Sequence, residues 1–411
     1  MARIAILNMG THGDVAPLVG LGIRLQEAGH RVGMTVPERL TRLVTDAGLD
    51  CHPLDVGAAV PPETKQARAA HRPGARGTAS VIRLAAGAMG RFVPAMVAAA
   101  EGADIVLVTY GTAPAAIPIA EALGVPCLLV PFQIAQPTRE FGPTFLGGRN
   151  LGPWLNRLVP ELVGRLGMRA FAGLIREIRA DLGLPTEVPP AYRPGAVPTL
   201  YGVSPAVVPR PADWPDNVQL AGYWWSPRPS DWQPAADLER FLAAGPPPVY
   251  LGFGSVDVGK TEALSATVLD AVGRTGLRAV VQRGWEGLDV KGDNIFTVGE
   301  VPHDWLLPRV AAAVHHAGAG TTAATLRAGI PSVPVPFVYD QGFWARRLVD
   351  LGAAPCAIPA ARLSGERLAA AITSAANESR FRQAAAGIAA RIAEEDGAAP
   401  VLAAVDRLVA A

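Results

Sequence analysis

Two adjacent histidines, His315 and His316, end an apolar run and lead into Ala317-Gly318-Ala319-Gly320 and the threonine pair Thr321-Thr322. The run over 311–316 reads as a buried parallel strand. Gly318 and Gly320 let the backbone turn tightly and approach a ligand closely. Thr321 and Thr322 open a helix expected over 321–328, where unpaired N–H groups and the positive end of the dipole favour a phosphate. A histidine at the strand end can donate to the same phosphate. Further on, Asp340-Gln341 puts a carboxylate and an amide at the next strand end, a pairing suited to sugar hydroxyls. One segment thus offers a diphosphate site and a sugar site.

A second cluster, Gly10-Thr11-His12-Gly13-Asp14, follows the first strand. Asp14 precedes a helix with Pro17 near its start, so it reads as an ordinary N-cap as well as a functional carboxylate. His12 reads as a polar loop residue or as a base. The spacing Gly10-x-x-Gly13 is not the G-x-G-x-x-G dinucleotide fingerprint, which argues against a nicotinamide cofactor there.

The elements that must position these residues alternate. Strands are expected over 3–8, 31–36, 104–109 and 126–131, with helices over 15–29 and 112–123. After residue 248 the alternation restarts. Strands are expected over 249–254, 277–282, 295–298, 311–316 and 333–337, and helices over 261–275, 321–328, 343–351 and 400–411. Such alternation predicts an α/β fold with parallel sheets wound on both faces. Between about 204 and 248 prolines are too dense for regular elements, which marks an interdomain connection. The expected division is residues 1–210, a linker over 211–235, a second domain over 236–395 and a terminal helix over 396–411 that packs back on the first domain.

Composition narrows the classes. At 411 residues, half of them hydrophobic, the chain can bury two cores. A net charge of +1 gives no sign of nucleic-acid binding. Cys51, Cys127 and Cys356 form neither a disulfide framework nor a metal pattern. The opening strand has no cleavage-site pattern after it, and no apolar stretch is long enough to span a bilayer, so a cytoplasmic protein without a transmembrane segment is expected. Residues 151–182 mix apolar residues with Arg157, Arg165, Arg169, Arg176 and Arg179. This stretch reads first as a lid over an apolar ligand and second as a segment lying on a membrane surface. Lys65, Arg68, His71, Arg72 and Arg76 read as a solvated loop, and His303-Asp304 as a turn before a helix at Trp305. Trp224, Trp225, Trp232 and Trp344 read as packing residues, Trp344 also as a possible neighbour of the sugar.

Residues 10–17, 251–255, 301–308 and 315–341 together resemble the UDP-glycosyltransferase family, in its bacterial antibiotic and sterol-like subgroup. The resemblance covers the chain end to end in layout and is loosest over 55–100 and 140–200. It implies the GT-B fold: two Rossmann-like parallel-sheet domains facing across a cleft. It implies that His316, Gly318, Gly320 and Thr321 contact the donor diphosphate, joined by Gly254 and Ser255. It places Arg283, Trp285 and Val301 at the nucleobase, Asp340 and Gln341 at the sugar, and Asp14 at the general-base position. Two residues depart from the subgroup pattern. His12 stands where arginine is usual, which adds a titratable group beside Asp14 and leaves the base open between Asp14 and His12. Ala317 stands where a second glycine is usual, a change tolerated if its φ is negative.

The implied reaction is an inverting, metal-independent glycosyl transfer from a nucleotide sugar to a hydroxyl of a hydrophobic small molecule. UDP-glucose is the first donor expected and a dTDP-deoxysugar the second; no other cofactor is implied. An aspartate with a pKa of about 3.9 is a weak base, so Asp14 needs burial or help. Two other readings stay open: a GT-B nucleotide-sugar epimerase, and a silent partner that activates another glycosyltransferase. Oligomeric state and acceptor identity are not legible.

Overall fold

The computed structural model describes residues 1–55, 87, 89–188, 195–229, 231–254, 261–284, 288 and 290–410. These form two compact units. The first holds residues 1–143, 149–229 and 395–411, and the second holds 144–148 and 230–394.

The first unit is built on β1 (Arg3–Leu7), β2 (Arg31–Pro37), β3 (Asp50–Leu54), β4 (Ile105–Val108), β5 (Cys127–Leu129), β6 (Thr199–Tyr201) and β7 (Val218–Leu220). Their order is β3-β2-β1-β4-β5-β6-β7, and every pairing is parallel. Because side chains alternate along a strand, β1 feeds two cores. Ile4 and Ile6 pack with Leu18, Leu21 and Leu25 of α1 (His12–Glu27) and with Val401 and Val405 near the C-terminus. Ala5 and Leu7 pack on the other face with Met96 and with Ile119. These two belong to α3 (Val93–Ala100) and α4 (Ala113–Leu123), which follow the short α2 (Thr41–Thr45). The long α5 (Pro153–Asp181) adds Phe171, Leu174 and Ile178 to that second core.

The second unit carries β8 (Val249–Gly252), β9 (Ala279–Gln282), β10 (Ile295–Val298), β11 (Ala312–His315) and β12 (Ser332–Pro334) in the order β10-β9-β8-β11-β12, again all parallel. Its helices are α6 (Ala236–Ala243), α7 (Thr261–Thr275), α8 (His303–Leu306), α9 (Ala319–Arg327), α10 (Gln341–Asp350), α11 (Gly365–Asn377) and α12 (Ser379–Ala393). Val249, Leu251, Val281 and Val314 bury one sheet face under α7 and α11. Tyr250, Val280 and Ala313 bury the other with Leu238, Trp305 and Leu306. The last helix, α13 (Ala399–Val409), belongs to the first unit. Trp224 Nε1 donates to Gly397 O at 2.7 Å, and Arg24 pairs with Asp396 at 2.9 Å.

Three local expectations are corrected. The first helix begins at His12, not at 15, because Thr11 rather than Asp14 caps it. The proline-rich stretch is not irregular throughout, since it contains β7 and α6. Prolines leave carbonyls without the N–H groups that would pair them, and Arg210 compensates by donating to the carbonyls of Pro211, Trp214, Pro215 and Val218 at 2.9–3.3 Å. Ala317 has φ +60, in the left-handed region, where a side chain is unfavourable.

Candidate functional site

In the second sheet the strand order reverses between β8 and β11. The ends of neighbouring strands diverge there, and ligands of open α/β sheets bind at such a point. His315 pairs in register with Gly252 of β8 and Pro334 of β12. It is fully buried, and its Nδ1 accepts the Ala317 N–H at 3.1 Å. The proton of the neutral ring therefore belongs on Nε2, which is buried without a partner among the described residues.

His316 is the next residue and lies in a slot lined by backbone. A Cβ on Gly254 would stand 2.8 Å from its Cε1, and a Cβ on Gly318 would stand 2.4 Å from its Nε2. Its Nδ1 is buried and unpartnered among the described residues. Burial, reinforced by the neighbouring His303, pushes His316 down to about 4. Burial, with His316 and His303 nearby, pushes His315 down to about 3. Both rings are neutral at pH 7. His303 opens α8 and lies 3.4 Å from the Tyr250 hydroxyl, which itself donates to Gln282 Oε1 at 2.5 Å.

Gly318 is the N-cap of α9, so the helix starts two residues before the expected Thr321. The N–H groups of Ala319, Gly320 and Thr321 fall in its first turn, where no carbonyl of the helix can receive them. Gly318 has no side chain to cap them. The first helical bond runs from Thr322 N to Gly318 O at 2.9 Å. Thr322 Oγ1 is a further buried group without a partner among the described residues.

Asp340 is the N-cap of α10, and its Oδ2 accepts the indole N–H of buried Trp344 at 2.8 Å. Gln341 is buried, and its Oε1 accepts the N–H groups of Phe337 and Val338 at 2.8 and 3.1 Å. The side-chain oxygen of Gln341 thereby holds the loop. Tyr339, just before the pair, has φ +55, an uncommon strain for a bulky residue. Arg283 is exposed at the end of β9, its N–H bonded to Val298 O at 2.8 Å. Gly284, at φ +62, brings this loop against Gly254 O. Val301 is half-buried and packs with Trp305 and Leu306. Ser255 and Trp285 lie outside the described residues, as does the basic cluster of 65–76.

In the first unit the sheet order also reverses, between β1 and β4. Thr112 Oγ1 ties the two loops by donating to Leu7 O at 2.6 Å. Asp14 is the third residue of α1, and its Oδ2 accepts both the N–H and the hydroxyl of Thr11 at 2.8 and 3.0 Å. Its Oδ1 accepts from Gln133 Nε2 at 3.3 Å. Gly10 leaves room for the carboxylate, since a Cβ there would meet Asp14 at 2.5 Å. His12 is the exposed first residue of α1 and makes no side-chain hydrogen bond among the described residues.

Thr11, Gln133 and Tyr250 were missed by sequence reasoning. Thr11-x-x-Asp14 carries a readable signal, the spacing of a capping box. Gln133 has none, because 119 residues separate it from Asp14.

Residues 4–140 match the model described as the glycosyltransferase family 28 N-terminal domain, and residues 266–410 match the erythromycin biosynthesis protein CIII-like C-terminal domain. The chain is 35% identical over 409 residues to the O-mycaminosyltylonolide 6-deoxyallosyltransferase of Streptomyces fradiae, covering 96% of this chain and 94% of that one. It is 34% identical over 387 residues to a sterol 3-beta-glucosyltransferase of Arabidopsis thaliana, covering 90% of this chain. The chain spans only 62% of the length of that plant enzyme. Among solved structures, the glycosyltransferase of kitacinnamycin superposes with a TM-score of 0.71 at 20% identity, over 99% of this chain and 98% of that one. That likeness shows the fold, and the 35% identity over nearly the whole of the Streptomyces enzyme shows the family. The chain belongs to the UDP-glycosyltransferase family, with the GT-B fold, in the branch that holds sterol and antibiotic glycosyltransferases.

Proposed function

We propose that the protein transfers a hexose from a nucleoside-diphosphate sugar to a hydroxyl of a hydrophobic small molecule, with inversion at the anomeric carbon. The observation that carries this reading is the His316 ring, fixed between two glycines beside the first turn of α9 with Nδ1 buried and unpartnered among the described residues. An unpaired buried group is costly unless a ligand completes it. A diphosphate would accept from His316 and from the N–H groups of Ala319, Gly320 and Thr321 together.

In the reaction the acceptor oxygen attacks the anomeric carbon as the bond to the diphosphate breaks. The diphosphate leaves with the bonding electrons, and its growing charge meets donors already in place. Asp340 and the Gln341 amide hold the sugar hydroxyls so that attack is in line. The acceptor proton passes to Asp14. Thr11 occupies Oδ2 twice, so Oδ1 is the receiving atom, and Gln133 must share it or move aside.

UDP-glucose is the first donor we propose, in keeping with the glucosyl group named for the sterol relative. A dTDP-deoxysugar is the second, because the relative matched over nearly its whole length is a 6-deoxyallosyltransferase. Calorimetric titration with UDP, dTDP and UDP-glucose, with and without magnesium, tests the donor site. Binding of one diphosphate, lost in His316→Ala, supports it; equal affinity in wild type and variant removes His316 from the site. Conversion of donor sugar without any acceptor would favour an epimerase.

A further inference from the structure

The outer face of α5 carries none of the residues assigned above to the transfer. Four of the large hydrophobic residues exposed among the described residues lie on this one helix: Trp154 at 69%, Leu155 at 40%, Leu162 at 45% and Leu166 at 60%. On the opposite side Phe171, Leu174 and Ile178 anchor the helix in the core. At about 100° per residue the four exposed residues fall within one sector of about 120°. Arg165, Arg169 and Arg176 fall in the same sector and are exposed. Arg165 makes only a loose pair with Glu161 at 3.9 Å, and Arg169 and Arg176 have no acidic partner among the described residues. Glu161 and Glu177 lie just outside the sector, so it holds cations and apolar side chains and no carboxylate.

We propose that this face of α5 docks on an anionic lipid surface. The leucines and Trp154 would enter the region between headgroups and acyl chains, while the arginines extend to the phosphates. The charge pattern selects this occupant over a second copy of the chain, because two such faces brought together would set arginine against arginine. No helix among the described residues is long and apolar enough to cross a membrane, so the contact is peripheral. Docking would bring the unit that carries Asp14 to the phase in which an apolar acceptor dissolves. That consequence rests on the proposed transfer reaction, whereas the docking itself does not.

The test is co-sedimentation of the full chain with phosphatidylcholine vesicles with and without phosphatidylglycerol. The protein is expected to pellet with the anionic vesicles, less so at high salt. The triple variant Arg165→Gln, Arg169→Gln, Arg176→Gln should weaken partitioning at least about tenfold, since each cation near an anionic surface contributes several-fold. The pair Leu162→Glu, Leu166→Glu should abolish it. Diphosphate binding should match wild type in both, which reports a folded chain without reference to transfer. Should a variant not fold, brominated lipid gives an independent reading on the native chain: part of its tryptophan quenching should vanish in Trp154→Phe. No pelleting of the wild type overturns the proposal, as does pelleting that neither variant reduces. A wild-type dimer that Leu166→Glu dissociates, without vesicle binding, would reassign the face to self-association. Capture of a protein partner through this face, again without vesicle binding, would overturn the proposal equally.

Discussion

Gly254 and His316 are packed so closely that a methyl group on the glycine would stand 2.8 Å from the imidazole Cε1. Gly254 also has φ +66, a conformation that a side chain disfavours. Gly254→Ala must therefore shift the ring or the loop. Nucleoside-diphosphate affinity should fall by about tenfold or more, the value of one displaced hydrogen bond to a charged group. Gly318→Ala, which aims a methyl group at Nε2, should do the same. Calorimetry on either variant checks this, and wild-type affinity would show that the ring position does not matter to binding.

Asp14 has two separable tasks. As the third residue of α1 it completes the cap with Thr11, and as a carboxylate it is the proposed base. Asp14→Asn keeps an acceptor for Thr11 but cannot take a proton at neutral pH. It should hold its melting temperature within a degree or two while turnover drops by roughly 10²-fold or more. Asp14→Ala should lose the rate and, with its hydrogen bonds to Thr11, about 1 kcal/mol of stability as well. Near-normal turnover in Asp14→Asn would move the base to His12, which His12→Ala then tests.

Burial holds His316 near 4 and His315 near 3, against about 6.5 in an unfolded chain. A depressed folded value means that the unfolded chain binds more protons in the interval. This contribution to stability is complete above about pH 6.5 and is lost as pH falls toward 4 and then 3. The melting temperature should decline from pH 7 to pH 5, and the decline should be shallower in His315→Gln. A bound diphosphate would favour protonated His316, so its binding should take up protons. Titrations at pH 6 in buffers of different ionisation enthalpy should show that uptake, and a buffer-independent heat in His316→Ala.

Ala317 holds φ +60 beside His315, whose ring accepts its N–H. Glycine reaches this conformation without strain, so Ala317→Gly should raise stability by about 1 kcal/mol and leave the His315 contact in place. Denaturant unfolding measures this. A loss of stability would mean that the buried methyl packs more favourably than its backbone is strained.

Much of the framework was readable because it rests on local periodicity. The short apolar runs over 249–254 and 311–316 read as strands buried on both faces, and the alternation of strand with helix points to a parallel sheet; the structure has the strands at Val249–Gly252 and Ala312–His315. The strand-to-helix turn at His316–Gly318 was legible for the same reason, since its glycines and its following helix are neighbours in the chain. Boundaries were less legible. The start of α1 shifted by three residues because the cap depends on which side chain turns back, Thr11 or Asp14. Strand β12 ends at Pro334, where the expected run continued to 337. β7 and α6 were hidden in a proline-rich stretch whose carbonyls depend on Arg210.

By itself the sequence pointed to the class of chemistry: residues suited to a diphosphate and to a sugar stand at short spacing, and the resemblance to the family put Asp14 in the base position. Tertiary structure decided the state of those residues. Folding buried His316 Nδ1 without a partner among the described residues, gave Trp344 to Asp340, committed the Gln341 oxygen to Phe337 and Val338, and brought Gln133 to Asp14. It also turned the apolar and basic residues of α5 outward together. A residue's charge, its free hydrogen-bonding atoms and its exposure depend on what surrounds it in space, and those neighbours come from segments that no local pattern connects.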